Sequence, residues 1–216
     1  MLSARRLTVF AAAVLMLSLV SVPVLSEGHE ADMDEIMAEV TEALKLSEDQ
    51  VPRMQTALTN YFTNLDAIHA KYDGQEEPDG QAMIGELKGA RDGYYKELKG
   101  FLSEDQYNGY MELKEKVLHE IFSEIASIRL YDFKEPLKLT EDQMAKMSPI
   151  LGDAIRGFFG VIFEYGDKRM SVRNKLKIAH AMKAIQSDTN EKIKPILTPE
   201  QWETWQKMKE AAKEEG

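Results

Sequence analysis

Apolar residues recur three and four positions apart along most of the chain, and no stretch alternates apolar with polar in the way a half-buried strand requires. Met33, Ile36, Met37, Val40 and Leu44 form the first series, which predicts a short amphipathic helix with an acidic outer face. A second series runs through Met83, Ile84, Leu87, Tyr94, Leu98 and Phe101, and a third through Tyr107, Tyr110, Met111, Val117, Leu118, Ile121, Ile125 and Ile128. Further on, Val172, Leu176, Ala179, Met182, Ile185, Ile193 and Ile196 repeat the spacing. Turns are expected at Tyr72-Asp73-Gly74 and Tyr165-Gly166-Asp167. The pattern predicts an all-α fold, an elongated helical hairpin or bundle.

One short motif punctuates these helices four times: LKLSEDQ from Leu44, GFLSEDQ from Gly100, LKLTEDQ from Leu137 and PILTPEQ from Pro195. Leu139 lies 93 residues after Leu46, and Leu197 lies 95 after Leu102. Met54 then falls over Met147, Leu58 over Leu151 and Tyr72 over Tyr165. This predicts two tandem copies of a three-helix unit, 46–136 and 137–216, preceded by an acidic helix over 27–45.

The motif has a physical reading of its own. Ser47, Ser103, Thr140 or Thr198 placed at a helix N-cap can accept from the amide three residues on, where Gln50, Gln106, Gln143 or Gln201 can reach back to the amide of the cap: a capping box. Leu46, Leu102, Leu139 and Leu197 precede the caps, and Val51, Tyr107, Met144 and Trp202 follow the glutamines. Each apolar pair can close a hydrophobic staple over the first turn. On this reading the glutamines start helices and touch no ligand.

The first 26 residues differ from the rest. Arg5 and Arg6 precede an apolar run, and Val24 and Ser26 stand at the small-residue positions before Glu27, the pattern of a cleaved secretory signal peptide. Leu7 to Leu25 is also just long enough to span a bilayer, but Pro23 and the small residues at the cut favour cleavage. An exported, periplasmic protein without stable membrane insertion is expected. There is no cysteine, so disulfides, thiolate metal sites and cysteine nucleophiles are excluded.

Charge is unevenly spread over this chain of formal net charge −10, which becomes −12 once Arg5 and Arg6 are removed. Residues 27–43 carry seven acids and no Lys or Arg, 44–136 carry 18 acids against 11 bases, and 137–216 carry 12 against 14. Nucleic acid is an unsuitable partner for such a balance.

With its four motifs LSEDQ, LSEDQ, LTEDQ and LTPEQ at 46–50, 102–106, 139–143 and 197–201, the chain resembles the LTxxQ-motif family of periplasmic proteins, the Spy/CpxP-like chaperones. The resemblance covers nearly all of the sequence after the signal peptide. It implies a helical cradle that binds unfolded or stress-exposed proteins without ATP. Family members carry two motifs and pair; four motifs in one chain imply an intramolecular pseudo-dimer, with a further homodimer left open.

Two stretches are candidate contacts for such clients. IRGFFGVIFEY over 155–165 is apolar on nearly every side, as suits either the centre of a bundle or a sticky surface bearing Phe158, Phe159, Ile162 and Phe163. Lys168, Arg169, Arg173 and Lys177 follow in a cluster that also holds Lys175. Metal and catalytic chemistry find little support. The histidines at 29, 69, 119 and 180 form no i, i+4 pair, His119-Glu120 lacks the second histidine of HExxH, and DGQEEPDGQAMI from Asp73 has Pro78 and Ile84 where a calcium loop needs Gly and Glu. No cofactor, metal or enzymatic activity is expected. Other readings are a stress- or metal-responsive regulatory module that binds a sensor protein, and a passive assembly protein.

Overall fold

The structure is a computed structural model and describes residues 29–73, 75, 78–169 and 171–214; the expected signal peptide lies outside them. The protein is all-α. Its helices in order are α1 His29–Leu44, α2 Gln50–Tyr72, α3 Gly80–Lys99, α4 Glu104–Leu137, α5 Glu141–Tyr165, α6 Val172–Ile193, a short 3-10 turn Lys194–Ile196, and α7 Pro199–Glu214. Helices α2 and α5 end where the Tyr-Asp-Gly and Tyr-Gly-Asp turns are expected.

The chain forms two compact units. Unit one holds the described residues up to Leu118 together with Ile162–Arg169, and unit two holds His119–Val161 with the described residues after Arg169. This grouping differs from the division expected at 136/137. At 34 residues, α4 is about 50 Å long, and it supplies its first part to unit one and its second to unit two.

The passage between units shows in the buried line of α4. Tyr110, Val117 and Ile121 are buried in its first part, and Phe122, Ala126, Leu130 and Leu137 in its second. The line thus steps by one residue at 121/122, which turns Ile128 outward to 65% exposure. Ile128 therefore does not share the inward face that its spacing suggested.

In unit one, Ile36, Met37, Val40 and Leu44 of α1 are buried, as are Met54, Leu58, Tyr61 and Leu65 of α2 and Ile84, Leu87, Tyr94 and Leu98 of α3. Tyr61 stacks on Tyr94, with ring centroids 4.5 Å apart and planes within 9°. Tyr94 also meets Tyr110 edge-on at 6.0 Å and donates its hydroxyl to that of Tyr110 at 3.1 Å. Burial raises the pKa of all three phenols, because a phenolate here would lose its hydration.

The segment after Val161 joins unit one through specific contacts. Lys88 pairs with Asp167 and donates to the Glu164 carbonyl at 3.0 Å, and Gln81 donates to the Asp167 carbonyl at 3.0 Å. The Arg91 guanidinium stands 4.9 Å from the Phe163 ring centre. Lys88 also holds the Asp167 carboxyl below its usual range, chiefly through their hydrogen bond.

Unit two is built on Leu130, Leu137, Leu139, Met144, Met147, Ile193, Leu197 and Trp205, with Phe133 and Trp202 packed against them. Here α5 meets α4 with almost no space between backbones. A β-carbon added at Gly152 would lie 2.6 Å from the amide nitrogen of Ser123 and 2.7 Å from the carbonyl carbon of Phe122. Only hydrogen fits.

Gly152→Ala should destabilise the protein by about 1–3 kcal/mol, since backbone has to move. Gly89→Ala, whose β-carbon would meet nothing within 4 Å, should stabilise it by about 1 kcal/mol through helix propensity. Urea unfolding of the two variants should shift in opposite directions. The raised phenol pKa values give a second expectation. The tyrosines favour the fold fully below their unfolded pKa of about 10, and this contribution is lost as pH rises above it toward the folded values. Tyrosinate absorbance from Tyr61, Tyr94 and Tyr110 should therefore appear together with loss of helix, above the titration of the exposed tyrosines.

Candidate functional site: two glutamine clasps

All four motifs begin helices, and in each the glutamine turns back on the cap. The amides of Ser47, Ser103, Thr140 and Thr198 donate to the Oε1 atoms of Gln50, Gln106, Gln143 and Gln201 at 3.0, 3.0, 3.1 and 2.9 Å. In three motifs the reciprocal bond is present: Ser103, Thr140 and Thr198 hydroxyls accept from the glutamine amides at 3.2 Å. Ser47 departs from this. Its hydroxyl donates to Asp49 Oδ1 at 2.7 Å, and the Gln50 amide bonds instead to the Ser47 carbonyl at 2.9 Å.

Acids enrich three of these first turns, with Glu104 and Asp105 on α4, Glu141 and Asp142 on α5 and Glu200 on α7. They suit the positive end of the helix dipole. The backbone amide of Glu200 first, and the Thr198 hydroxyl second, hold the Glu200 carboxyl below its usual range.

The glutamines do more than cap. Gln50 and Gln106 exchange amide bonds, Nε2 to Oε1, at 2.8 and 2.9 Å. Gln143 and Gln201 do the same at 2.7 and 3.1 Å. The second Nε2 proton of each goes to a carbonyl just past the helix that precedes its partner's helix: Gln50 to Phe101 at 2.8 Å, Gln143 to Ile196 at 2.9 Å and Gln201 to Lys138 at 3.0 Å. Gln106 reaches Leu44 and Lys45 at 3.3 and 3.4 Å. Every amide thus uses both donors and both acceptor positions inside the protein. One clasp lies in unit one and the other in unit two.

The helix ends that receive these amides are themselves unusual. Lys45 and Lys138 have φ of 51° and 52°, the left-handed region that normally takes glycine. Leu46 and Leu139 donate back five residues to Thr41 and Lys134 at 3.1 and 2.9 Å, so both ends are Schellman motifs with lysine at the left-handed position. The other member of each clasp receives a tighter exit, through Gly100, Phe101 and Leu102 in unit one and through the 3-10 turn in unit two. Of the four motif leucines, Leu102, Leu139 and Leu197 are buried and Leu46 is half-buried.

The candidate client contacts are divided between the units. Phe158 and Phe159 lie in unit two; both are half-buried, and Phe159 packs 5.8 Å from Phe122. Ile162, Phe163, Lys168 and Arg169 lie in unit one. There Ile162 is 36% exposed, Phe163 sits under Arg91, and Lys168 pairs with Glu164 at 3.8 Å beside the Tyr165 ring. Arg173 and Lys177 stand exposed on α6 in unit two. So the aromatic members mostly have partners within the fold.

What the spacing did not indicate is the exposure of Val172 at 76% and Leu176 at 56%, beside Ile128 and Tyr131 at 58%. Helices without the motif have caps of their own, Asp79 for α3 and Ser171 for α6, accepting from Ala82 and Asn174 at 3.0 and 3.2 Å. A polar groove of about 430 Å³ lies in unit one between Asn60 and Asn64 of α2 and Gly89 and Gly93 of α3, over the stacked tyrosines. His119 accompanies Asp153 at 3.0 Å. No group of three or more metal-binding side chains lies among the described residues.

The chain matches no protein-family model, no curated protein and no solved structure.

Gln143→Ala should cost about 1–3 kcal/mol, since it leaves the Thr140 amide, the Ile196 carbonyl and the Gln201 amide short of partners. Gln201→Ala should cost about the same. Because each removes the other's partner, the double variant should fall short of the sum by about 1 kcal/mol, and chemical unfolding of the four proteins of this cycle measures it.

Proposed function

We propose that this chain is an ATP-independent periplasmic binding protein, built from two tandem LTxxQ-type units, that holds unfolded or stress-exposed proteins on exposed helical faces. The observation that carries the reading is where apolar surface remains open. Ile128 and Tyr131 on α4 and Val172 and Leu176 on α6 stand out from helix faces, whereas the motif glutamines have no donor or acceptor left for a ligand. The motif builds the scaffold and the faces do the binding.

The repetition of the amide exchange at 50/106 and 143/201, with each glutamine also reaching the helix end before its partner's helix, supports the tandem reading, and so does the shared left-handed lysine. Reversible holding fits the scale of the exposed surface. Burying one Val, Leu or Ile side chain contributes only about 1.5–3 kcal/mol, so a client meeting one or two of them dissociates readily. The surrounding charges tune encounter rather than affinity. No catalytic step enters this mechanism.

Light scattering of a reduced, unfolding client, with and without the full-length secreted form and in the absence of ATP, tests it. Aggregation should be suppressed at stoichiometric ratio, and Ile128→Asp with Tyr131→Ser should weaken the suppression. Unchanged aggregation with the parent protein would reject the holding function.

A further inference from the structure

Helix α6 presents an unpartnered face whose charge sets it apart from the rest of this acidic chain. From Ser171 to Gln186 it carries Arg173, Lys175, Lys177 and Lys183, together with His180, and no acid. Val172 and Leu176 are one turn apart on its outer side and are exposed by 76% and 56%. At 100° per residue Lys175 falls on one flank of this apolar pair, Arg173 and Lys177 fall on the other, and Lys183 continues the line two turns on. All four cations are exposed. Arg173, Lys175 and Lys177 form no ion pair among the described residues.

The inner side of the same helix is fixed. Thr189 and Ile193 are buried near its end, Ile185 lies beneath Gly157 at contact distance, and Ser171 caps its start. The outer face is therefore preformed by the helix, and its two apolar side chains stand exposed.

We propose that this face docks on an anionic lipid bilayer surface. Protruding aliphatic side chains flanked on both sides by long cationic ones match the boundary between headgroups and acyl chains. The apolar pair enters the boundary and the flexible cations spread to the phosphates. A protein partner would need a pocket for Val172 and Leu176 and fixed acids facing three differently directed cations; a bilayer needs neither. The net negative charge of the chain does not oppose this, because charges more than about 8 Å away are screened at physiological salt. The contact is peripheral: no helix among the described residues is long and apolar enough to cross a membrane. It shares Val172 and Leu176 with the proposed holding surface, but its variants at Arg173, Lys177 and Leu176 differ from the Ile128 and Tyr131 changes that test that function, so the two can fail separately.

The test is flotation of the full-length secreted form with vesicles of phosphatidylglycerol and phosphatidylcholine, against vesicles of phosphatidylcholine alone. The protein should float with the anionic vesicles only, and Arg173→Glu with Lys177→Glu should reduce binding by roughly tenfold or more. Because the chain has no cysteine, Leu176→Cys carrying an environment-sensitive dye reports the same contact without charge reversal. Its emission should shift to the blue with anionic vesicles and stay unchanged with neutral ones. Equal flotation with both vesicle types, or no dye shift with either, would overturn the proposal. A shift produced by a soluble peptide rich in Glu and Leu, with none from anionic vesicles, would overturn it in favour of an acidic protein partner.

Discussion

A half-buried amide that must satisfy four hydrogen-bonding positions at once is the constraint on which this structure depends. In each clasp two glutamine side chains face each other, and each also closes one helix start and reaches one helix end. Two N-termini and two preceding C-termini, groups that would otherwise face one another with unmet amides and carbonyls, are thereby tied at one point. Asparagine would not span the distance and glutamate would set oxygen against oxygen. The chemistry of a primary amide, two donors and two acceptor positions on one planar group, is what the junction uses.

This explains why the chain spends its motif on structure and leaves interaction to the helices. A glutamine with every position filled recognises nothing further. The surfaces that remain open are helix faces, where α4 turns Ile128 outward as it passes from one unit to the next and where α6 leaves its first turns uncovered. The proposed holding of clients and the proposed docking on a membrane surface would both draw on such faces, and neither would require a cleft.

Much of this was legible from spacing alone. Ser or Thr followed at the third position by Gln, with apolar residues on either side, specifies a helix start from local chemistry, and the helix starts fall where it places them. The all-α class, the buried face of α1 and the turns after Tyr72 and Tyr165 were legible for the same reason. The pairing of Gln50 with Gln106 was not, because the partners lie 56 residues apart and nothing local distinguishes a glutamine that only caps from one that also pairs. Lys45 and Lys138 were hidden because lysine does not advertise a left-handed backbone as glycine does, although the recurrence of Lys-Leu before Ser or Thr was a signal. Periodicity also misjudged Ile128, Val172 and Leu176. It identifies a stripe of apolar residues, but whether another helix lies against the stripe is decided by tertiary packing. Nothing local marks Gly152 as the point where two backbones meet.

The clasps also bear on time. Each joins residues 56 or 58 positions apart, and its long-range bonds need two formed helix starts and two formed helix ends, so loop closure and local helix formation come before them. Interactions completed after the folding barrier leave the rate of folding nearly unchanged and slow the reverse reaction. Contacts that close last act as latches: they lengthen the lifetime of a native state more than they speed its assembly, which is the role the long-range pairing of these glutamines suits.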